Sequence, residues 1–331
     1  MPKMKVLITG GAGRLGNVLA RELLKKKYEV YVLSLPGSKN DSLNGLKVKI
    51  VEGNILDIKG LKKAFKGMDQ VYHLAAMISI VSYDREKVFK VNVQGTNNVI
   101  TACIDCNIKR MIYVSTIHAL DDSKKKIIDE TVGFNTLTHR GNYDQSKAQA
   151  SVNILNAVKN KGLNAIIICP TGIIGPYDYE VSFFSQYIQE YVNKKLYFFI
   201  DGSYDFVDVR DVAKGMAELA LKGTKGETYL LSGENVQIKE FNNILFKETK
   251  IPKPIKIPYF LSYFFSFFTQ AYYKLTKKIP VITPYSLSTL RINSKISHKK
   301  ATDLINYSPR SFEDSFLDQI RWMKKQGIIK Y

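Results

Sequence analysis

The sequence predicts an α/β fold, a doubly wound parallel sheet with a smaller C-terminal domain, on three observations. Short apolar segments alternate with helix-length segments through the first two thirds of the 331 residues. The first apolar segment, residues 5–9, runs into a glycine-rich turn and then into a helix-like segment. After residue 176 the alternation gives way to an irregular stretch that is rich in proline, phenylalanine and tyrosine.

The alternation of apolar and helix-length segments predicts seven strands and five helices. Strands are predicted at residues 5–9, 29–34, 47–52, 70–74, 110–115, 164–169 and 227–231. Helices are predicted at residues 13–27, 57–65, 83–106, 143–161 and 209–221. Right-handed crossovers place the C-terminal ends of parallel strands along one edge of the sheet, so a ligand site is expected at that edge.

The rest of the chain is expected to form a cap over this edge. Residues 1–175 make up the sheet domain, to which residues 204–232 return, and the cap comprises residues 176–203 and 233–331. Helical patterns occur in the cap at 183–193 and 238–247. A substrate pocket is expected where the second domain closes over the sheet.

Composition is typical of a soluble globular protein of a reducing compartment. The mean hydropathy is −0.14, and no window reaches the roughly 18 apolar residues of a membrane-spanning helix. Three cysteines argue against a disulfide framework, so a cytoplasmic location is expected. Cys103 and Cys106 form a C-x-x-C pair on a helical stretch, where ordinary helix positions are the preferred interpretation and no metal site is expected.

The formal net charge of +19 raises nucleic acid or an anionic membrane as a partner. Much of the excess is scattered lysine, which is typical of a solvated surface, and no nucleic-acid partner is expected. Residues 251–300 stand apart, because they contain nine Lys and Arg but no Asp or Glu. Within them, residues 258–278 crowd nine aromatic side chains together. Packing of these rings into the cap is the preferred interpretation, and peripheral contact with an anionic bilayer is the alternative.

Gly10, Gly13 and Gly16 have the spacing G-x-x-G-x-x-G between the first strand and the first helix. Such a turn lets the backbone approach a pyrophosphate at a helix N-terminus, where free N–H groups and the helix dipole favour anions. Arg14 and Leu15 lie in the same turn and belong to the predicted site. The alternative is a tight strand–helix connection that binds no ligand.

Tyr143 and Lys147 lie one helical turn apart, so both side chains leave the same face of the helix. A free tyrosine has a pKa of about 10, and a neighbouring lysine cation would lower it by favouring the phenolate. Such a pair can exchange a proton with a carbinol oxygen while a nicotinamide exchanges hydride with the carbon. Ser115 and Thr116 end the strand that precedes this helix. The alternative is two surface residues of an amphipathic helix.

These motifs together resemble the extended branch of the short-chain dehydrogenase/reductase superfamily. The glycine turn matches T-G-x-x-G-x-x-G, and Tyr143 to Lys147 matches Y-x-x-S-K. Further similarity lies in segments 73–76, 92–96, 169–176, 206–213 and 301–313, in the expected order along the chain. The resemblance implies a dinucleotide-binding Rossmann domain, a substrate-binding cap and, by analogy, a homodimer built from the helices at 83–106 and 143–161.

The resemblance also implies roles for single residues. Tyr143, Lys147 and Thr116 are the expected catalytic residues, with the Thr116 hydroxyl bonding the reacting oxygen. Ser115 is expected to face the cofactor, and a shift of one place would exchange it with Thr116. Asn54 is expected at the adenine amine. The other expected cofactor contacts are Ile55, Leu74, Ala75, Ala76, Asn92, Pro170, Gly172 and Ile173. For Asn92 the alternative is a purely structural role, and for Asp211 that role is preferred.

The form of the nicotinamide cofactor rests on the end of the second strand. An acidic residue there would bind the ribose 2′-hydroxyl, and this strand ends at Ser34 without one. Ser34, Ser38, Lys39 and Arg14 could hold a 2′-phosphate, so NADP is favoured and NAD is the alternative.

Two groups of enzymes in the extended branch share these catalytic residues. One exchanges hydride with ketones or secondary alcohols of hydrophobic molecules, as dihydroflavonol reductases and 3β-hydroxysteroid dehydrogenases do, and the other epimerises or dehydrates nucleotide sugars. Tyr204 and Asp205 stand where the sugar enzymes usually carry an arginine, and residues 168–170 lack their asparagine.

The residues expected to line the pocket are largely apolar: Met77, Ile78, Ile80, Ile117, Ile173 and Phe183. The sequence therefore favours an oxidoreductase with a hydrophobic small-molecule substrate. His118, after the catalytic strand, either touches substrate or is structural. A non-enzymatic NADP-sensing or RNA-binding protein on the same fold is the second alternative, disfavoured because Tyr143 and Lys147 are both present.

Overall fold

The computed structural model describes residues 3–78, 84–121, 126–138, 141–200, 202–260, 262 and 295–331. Its strands are β1 (Lys5–Thr9), β2 (Glu29–Ser34), β3 (Lys49–Glu52), β4 (Gln70–His73), β5 (Arg110–Val114), β6 (Ile127–Ile128), β7 (Ala165–Pro170), β8 (Gly172–Ile174), β9 (Phe198–Ile200), β10 (Ser203–Asp208), β11 (Thr228–Leu231), β12 (Glu234–Gln237), β13 (Ile255–Ile257) and β14 (Lys295–Ile296). Seven of them form a parallel sheet in the order β11-β7-β5-β4-β1-β2-β3. All seven coincide with predicted strands, within two residues at either end.

The helices are α1 (Arg14–Lys25), α2 (Ile58–Phe65), α3 (Arg85–Phe89), α4 (Gly95–Asp105), α5 (Asn142–Lys161), α6 (Phe183–Val192), α7 (Val209–Lys222), α8 (Ile238–Thr249), α9 (Lys299–Ile305) and α10 (Phe312–Lys325). The helix predicted at 83–106 is α3 and α4 joined by a π-helical turn at Lys90–Gln94. Such turns often occur where a helix accommodates a functional site.

The central strands are apolar along their whole length because helices cover both faces of the sheet. Leu7 faces the core under α2, α4 and α5, whereas its neighbours Val6 and Ile8 face the core under α1 and α7. Every residue of β7 is buried. The prediction of a doubly wound α/β sheet is therefore confirmed.

The cap has its own core, which packs on a small three-stranded sheet that combines β12 of the cap with β8 and β10 of the sheet-domain ranges. β10 pairs in parallel with β8 and antiparallel with β12, so it does not join the seven-stranded sheet. The chain's return to the large sheet, expected from residue 204, is thus made by α7 and β11 alone. Phe206, Phe241 and Phe316 are buried at the centre of the cap, where their rings pack edge to face.

A second small element of the cap is a parallel two-stranded ribbon of β9 and β13. Of the aromatic segment 258–278, only residues 258–260 and 262 are described, so the interpretation of its remaining rings lies outside the described residues, as does Ile80. Among the helices that are described, none combines the length and the apolar character that crossing a bilayer requires.

Candidate active site

The glycine-rich turn joins the C-terminal end of β1 to the start of α1. Gly10 has a φ of +72°, and Gly13 is the N-cap of α1 with an extended backbone. The first turn of α1 holds no acidic residue, and Gly13 offers no side chain to cap it. The N–H groups at the start of α1, from Arg14 to Gly16, have no intrahelical acceptor and form the positive end of the helix dipole.

The three glycines of the turn differ in what a side chain at each position would meet. A Cβ atom at Gly10 would lie 2.8 Å from the Ala75 nitrogen, and one at Gly16 would lie 2.2 Å from the Gly10 oxygen. Packing within the protein therefore excludes a side chain at both positions. A Cβ atom at Gly13 would meet nothing closer than the Gly10 oxygen at 3.4 Å, an ordinary contact distance. Because neither packing nor conformation requires glycine at position 13, the open space beside it fits a pyrophosphate that approaches the backbone closely.

The Arg14 side chain does not take the phosphate-binding position expected from the sequence. Its terminal nitrogens donate to the carbonyl oxygens of Ile173 at 3.0 Å and Gly175 at 2.5 Å, and they pair with the buried Asp178 carboxylate at 3.4 Å. Two further side-chain oxygens from the cap accept hydrogen bonds from the same nitrogens. Since its terminal N–H groups are engaged by the cap, the guanidinium lacks a free terminal donor for a 2′-phosphate.

Tyr143 and Lys147 lie in the first two turns of α5, at the edge of the sheet where β5 ends. The Lys147 ammonium is buried, donates to the Val114 oxygen at 2.6 Å and lies 4.1 Å from the centroid of the Tyr113 ring. Burial lowers the pKa of Lys147 to about 7. The pKa of Tyr143 is raised, by burial first and by the Asp144 charge second, which is opposite to the lowering expected from Lys147.

Thr116 and Ser115 face different ways. Thr116 is the N-cap of a short 3₁₀ turn, Ile117–Ala119, and its hydroxyl oxygen accepts a hydrogen bond from the His118 nitrogen at 3.3 Å. This hydroxyl keeps its own proton for donation to a substrate oxygen. The Ser115 hydroxyl is buried and bonds the Ser151 hydroxyl of α5 at 2.8 Å, and its expected contact with the cofactor stays a prediction.

Asn92 lies in the π-helical turn and anchors the loop that follows β4. Its side chain accepts from the Met77 nitrogen at 2.7 Å and donates to the Met77 oxygen and to the Ser146 hydroxyl at 3.0 and 2.9 Å. These contacts agree with the alternative of a purely structural role for Asn92. The loop it holds presents Leu74 and Ala75 half-buried and Ala76 exposed at the sheet edge.

His73 stabilises the same corner from inside. Its ring is bonded to the hydroxyls of Thr9 at 2.7 Å and Thr96 at 3.0 Å. Burial lowers the pKa of His73 to about 3, so the ring is neutral near pH 7. The Thr9 hydroxyl in turn accepts from the Ala75 nitrogen at 3.3 Å, which ties the glycine turn to the loop after β4.

The residues expected around the adenosine lie beyond the glycine turn. The Ser34 hydroxyl donates to the Asn40 side chain at 3.0 Å. Asn54 is exposed, but its side-chain oxygen accepts from the Leu56 nitrogen at 2.9 Å, so that oxygen already has a local partner. Ile55 is buried against Gly95 of α4. The expected contacts of Ile55 with the cofactor and of Asn54 with adenine stay predictions.

The segment expected beside the nicotinamide lies at the ends of β7 and β8. β7 ends at Pro170, and a Cβ atom at Gly172 would lie 2.5 Å from the Tyr204 ring, so packing excludes a side chain there. Ile173 is half-buried and supplies its carbonyl to Arg14.

Two contributors to this region, Cys169 and Ser42, were not singled out by sequence reasoning, and for a third, Tyr204, the contact was not expected. Cys169 is buried next to Lys147, and burial raises the pKa of its thiol to about 12. Tyr204 of β10 is hydrogen-bonded through its hydroxyl to the ring of His118, so the residue that departs from the nucleotide-sugar pattern contacts the catalytic loop. The Ser42 hydroxyl donates to the Ala12 oxygen at 2.6 Å and ties the loop after β2 to the glycine turn. The position of Cys169 at a strand's C-terminal end was the available signal.

A model of the NAD dependent epimerase/dehydratase family matches residues 6–232. The chain is 27% identical over 330 residues to sterol demethylase protein B of Methylococcus capsulatus, with 98% of this chain and 100% of that protein covered. It is 29% identical over 334 residues to 3β-hydroxysteroid-dehydrogenase/decarboxylase isoform 1 of Arabidopsis thaliana, with 92% and 75% covered. The crystal structure of gox2253 aligns with a TM-score of 0.85 and 26% identity, covering 98% of this chain and 99% of that one.

Proposed function

Since the chain belongs to the NAD-dependent epimerase/dehydratase family, we propose that it exchanges hydride between a nicotinamide dinucleotide and a ketone or secondary alcohol of a hydrophobic molecule. The observation that carries this proposal is the placement of the open cradle at Gly13 and the Tyr143–Lys147 pair on one sheet edge. Only β4 separates β1 from β5, so the two strand ends lie about 10 Å apart. One extended dinucleotide can reach both.

The residues divide the chemistry between them. The bound nicotinamide supplies or accepts the hydride. The Tyr143 hydroxyl, neutral because its pKa is raised, gives a proton to the carbonyl oxygen in the reducing direction. The Thr116 hydroxyl donates a hydrogen bond to the same oxygen, and the Lys147 ammonium favours the phenolate that Tyr143 leaves behind.

A hydrophobic substrate is supported by the side chains next to this edge. Ile78 is 72% exposed and Phe183 is 40% exposed, although both are large and apolar. The two relatives described above are named for a sterol and a hydroxysteroid, which are fused-ring molecules with few polar groups. The Tyr204 ring, bonded to His118, offers no cation for a nucleotide diphosphate, which argues against the epimerase alternative.

NADP is the proposed form of the cofactor, with NAD as the alternative. β2 ends at Ser34 without a carboxylate, and Lys39 is exposed in the following loop. Arg14 no longer supports this preference because the cap engages its guanidinium. Cys103, Cys106 and Cys169 are free thiols, which supports a cytoplasmic location. A homodimer formed through α4 and α5 stays a prediction.

The Tyr143→Phe variant tests the proposal. We expect kcat for a steroid-like ketone with NADPH to fall at least ~100-fold, because the general acid is lost, while the Kd for NADPH stays within about twofold. Calorimetry with NADPH and NADH measures the affinities and the preference between the two. Tyr31→Phe, on β2, is the matched control. Turnover of Tyr143→Phe at the wild-type rate, or failure of the wild type to bind either nucleotide, would refute the proposal.

A further inference from the structure

The ribbon of β9 and β13 exposes large apolar side chains on the surface of the cap. Phe198 and Ile255 are paired across the ribbon and are 52% and 66% exposed. Tyr197 before β9 and Phe260 after β13 are 69% and 72% exposed. Several exposed apolar side chains on one small element are typical of an interaction surface, whereas isolated exposed apolar residues are ordinary.

Packing among the cap residues that the structure describes does not account for these outward side chains. Phe199 and Ile200, in the same strand, are buried, and Phe199 packs in the cap core. The ribbon therefore has its core contacts without Phe198 and Ile255. A solvated strand position is normally polar, so apolar residues at these outward positions indicate contact with something outside the fold.

The charged side chains within the two chain segments that form the ribbon are all lysines, although Asp201 directly follows β9 in the sequence. Residues 193–200 and 250–260 contain no Asp or Glu. Their lysines are Lys194, Lys195, Lys250, Lys253 and Lys256, and each is exposed. The Lys253 ammonium lies 5.2 Å from the centroid of the Phe246 ring, which is itself 40% exposed. Apolar groups and cations are thus intermixed on one surface.

We propose that this surface, the β9–β13 ribbon with its five lysines, docks on an anionic lipid bilayer. The aromatic and aliphatic side chains enter the headgroup region. The lysines bind the lipid phosphates and carboxylates, and each lysine contributes to the binding free energy at the membrane surface. A second copy of the chain fits less well, since a two-fold interface would place the same lysines against each other. This proposal does not depend on the hydride chemistry.

Co-sedimentation with vesicles tests the proposal. The wild type is expected to pellet with vesicles of phosphatidylcholine and phosphatidylserine at low salt, and to bind phosphatidylcholine alone at least ~10-fold more weakly. The double variant Lys253→Glu/Lys256→Glu should lose at least ~10-fold in affinity for the anionic vesicles, and so should Phe198→Ser/Ile255→Ser. Thermal unfolding of each variant establishes that it is folded.

The matched control is Lys63→Glu/Lys66→Glu on and after α2, which makes the same charge change at two exposed lysines outside the ribbon. It should retain at least half of the wild-type affinity. Equal loss of binding in the control would show a non-specific charge effect and overturn the assignment to the ribbon. So would wild-type binding by both ribbon variants, no binding of the wild type to anionic vesicles, or a dimer of the wild type that both ribbon variants abolish.

Discussion

At the scale of single residues, burial decides the charge of Lys147. Lys147 is 2% exposed, and its one strong polar contact is with a backbone carbonyl, so desolvation outweighs the attraction of its surroundings. The folded protein therefore holds this proton more weakly than the unfolded chain does. That difference makes stability depend on pH.

The Lys147→Met variant isolates this dependence. The pKa is about 7 in the folded protein and 10.5 when unperturbed, so between these values the unfolded state binds more protons and the wild type gains stability as pH rises. The methionine of the variant does not titrate, so the variant lacks this gain in stability. The Tm of the wild type should therefore rise relative to that of Lys147→Met from pH 7 to pH 9, measured by calorimetry. A constant difference would contradict the lowered pKa.

The glycines give a second prediction at this scale. Gly16→Ala should destabilise the fold by at least ~2 kcal/mol, because the added Cβ overlaps the Gly10 oxygen. Gly13→Val should fold with a near-normal Tm and yet lose NADPH affinity by at least ~100-fold, because its side chain fills the cradle. Chemical denaturation and calorimetry separate the two effects. Normal NADPH binding by Gly13→Val would show that the pyrophosphate does not bind at this turn.

Sequence reasoning located these residues but not the directions of their side chains. The strand–turn–helix pattern and the four-residue spacing were enough to place Gly13, Tyr143 and Lys147, because local geometry alone governs them. The side-chain partners of Arg14 and Ser115 were not predicted. Each side chain is fixed by a partner that is distant in sequence, Asp178 for Arg14 and Ser151 for Ser115, and no local pattern specifies such a pairing.

At the scale of elements, one face of α1 holds the loop that leads into the cap. Besides the contact of Arg14 with Gly175, Asn17 donates to the Tyr177 oxygen at 3.1 Å, and the Arg21 guanidinium lies 4.5 Å from the centroid of the Tyr177 ring. The three α1 residues are spaced three and four apart, so they share a face. Gly175 and Tyr177 have φ values of +106° and +69°, a conformation that Tyr177 adopts only at a cost in energy. These contacts offset that cost.

Arg14→Leu should therefore be strongly destabilising. It leaves the buried Asp178 carboxylate without its cation, which typically costs about 3–5 kcal/mol. Adding Asp178→Asn should recover part of the loss, since the unpaired charge is removed. Lys25→Leu is the control on the same helix: its ion pair with Glu22 is 71% exposed at the lysine, and the change should cost less than about 1 kcal/mol. Urea denaturation measures the free energy of unfolding of the wild type and the three variants, and equal losses for Arg14→Leu and Lys25→Leu would contradict the stabilising role of the Arg14–Asp178 pair.

The element predictions succeeded where apolar periodicity was strong. The long helices and the seven buried strands follow from it. The small strands of the cap, such as β8 and β9, are three residues long and are set by pairing with distant segments, so periodicity could not indicate them. β10 was not predicted for the same reason, because its partners are β8 and β12.

At the scale of the whole molecule, the ion pair of Arg310 with Asp211 helps to fasten the C-terminal segment to the sheet domain, beside the pairs Arg210–Asp318 and Lys300–Glu227. The Arg310 backbone nitrogen and guanidinium donate three hydrogen bonds of 2.9–3.0 Å to the Asp211 carboxylate of α7. Asp211 and Arg310 stand 99 residues apart in the chain. These contacts agree with the structural role preferred for Asp211. The ion pair joins two of the segments that resemble the family, 206–213 and 301–313.

A double-mutant cycle with Asp211→Asn and Arg310→Gln measures this connection. The coupling energy should be about 1 kcal/mol, since the Arg310 side chain is 35% exposed and water screens the pair. Unfolding should stay a single transition in every variant, because paired strands such as β14 and β6 also join the C-terminal segment to the sheet domain. Additive effects of the two substitutions would show that the pair contributes no coupling.

The order of the strands in the large sheet has a consequence for synthesis of the chain. β7 is complete at residue 170, but its outer neighbour β11 ends at residue 231, and most of the intervening chain belongs elsewhere. At a ribosome speed of 5–20 residues per second, the open edge of β7 waits roughly 3–12 s for its partner. Its Ala-Ile-Ile-Ile-Cys run is the kind of strand edge to which other nascent chains add. Protection by a chaperone is therefore needed most in that interval, and a fragment ending near residue 175 keeps the edge open permanently.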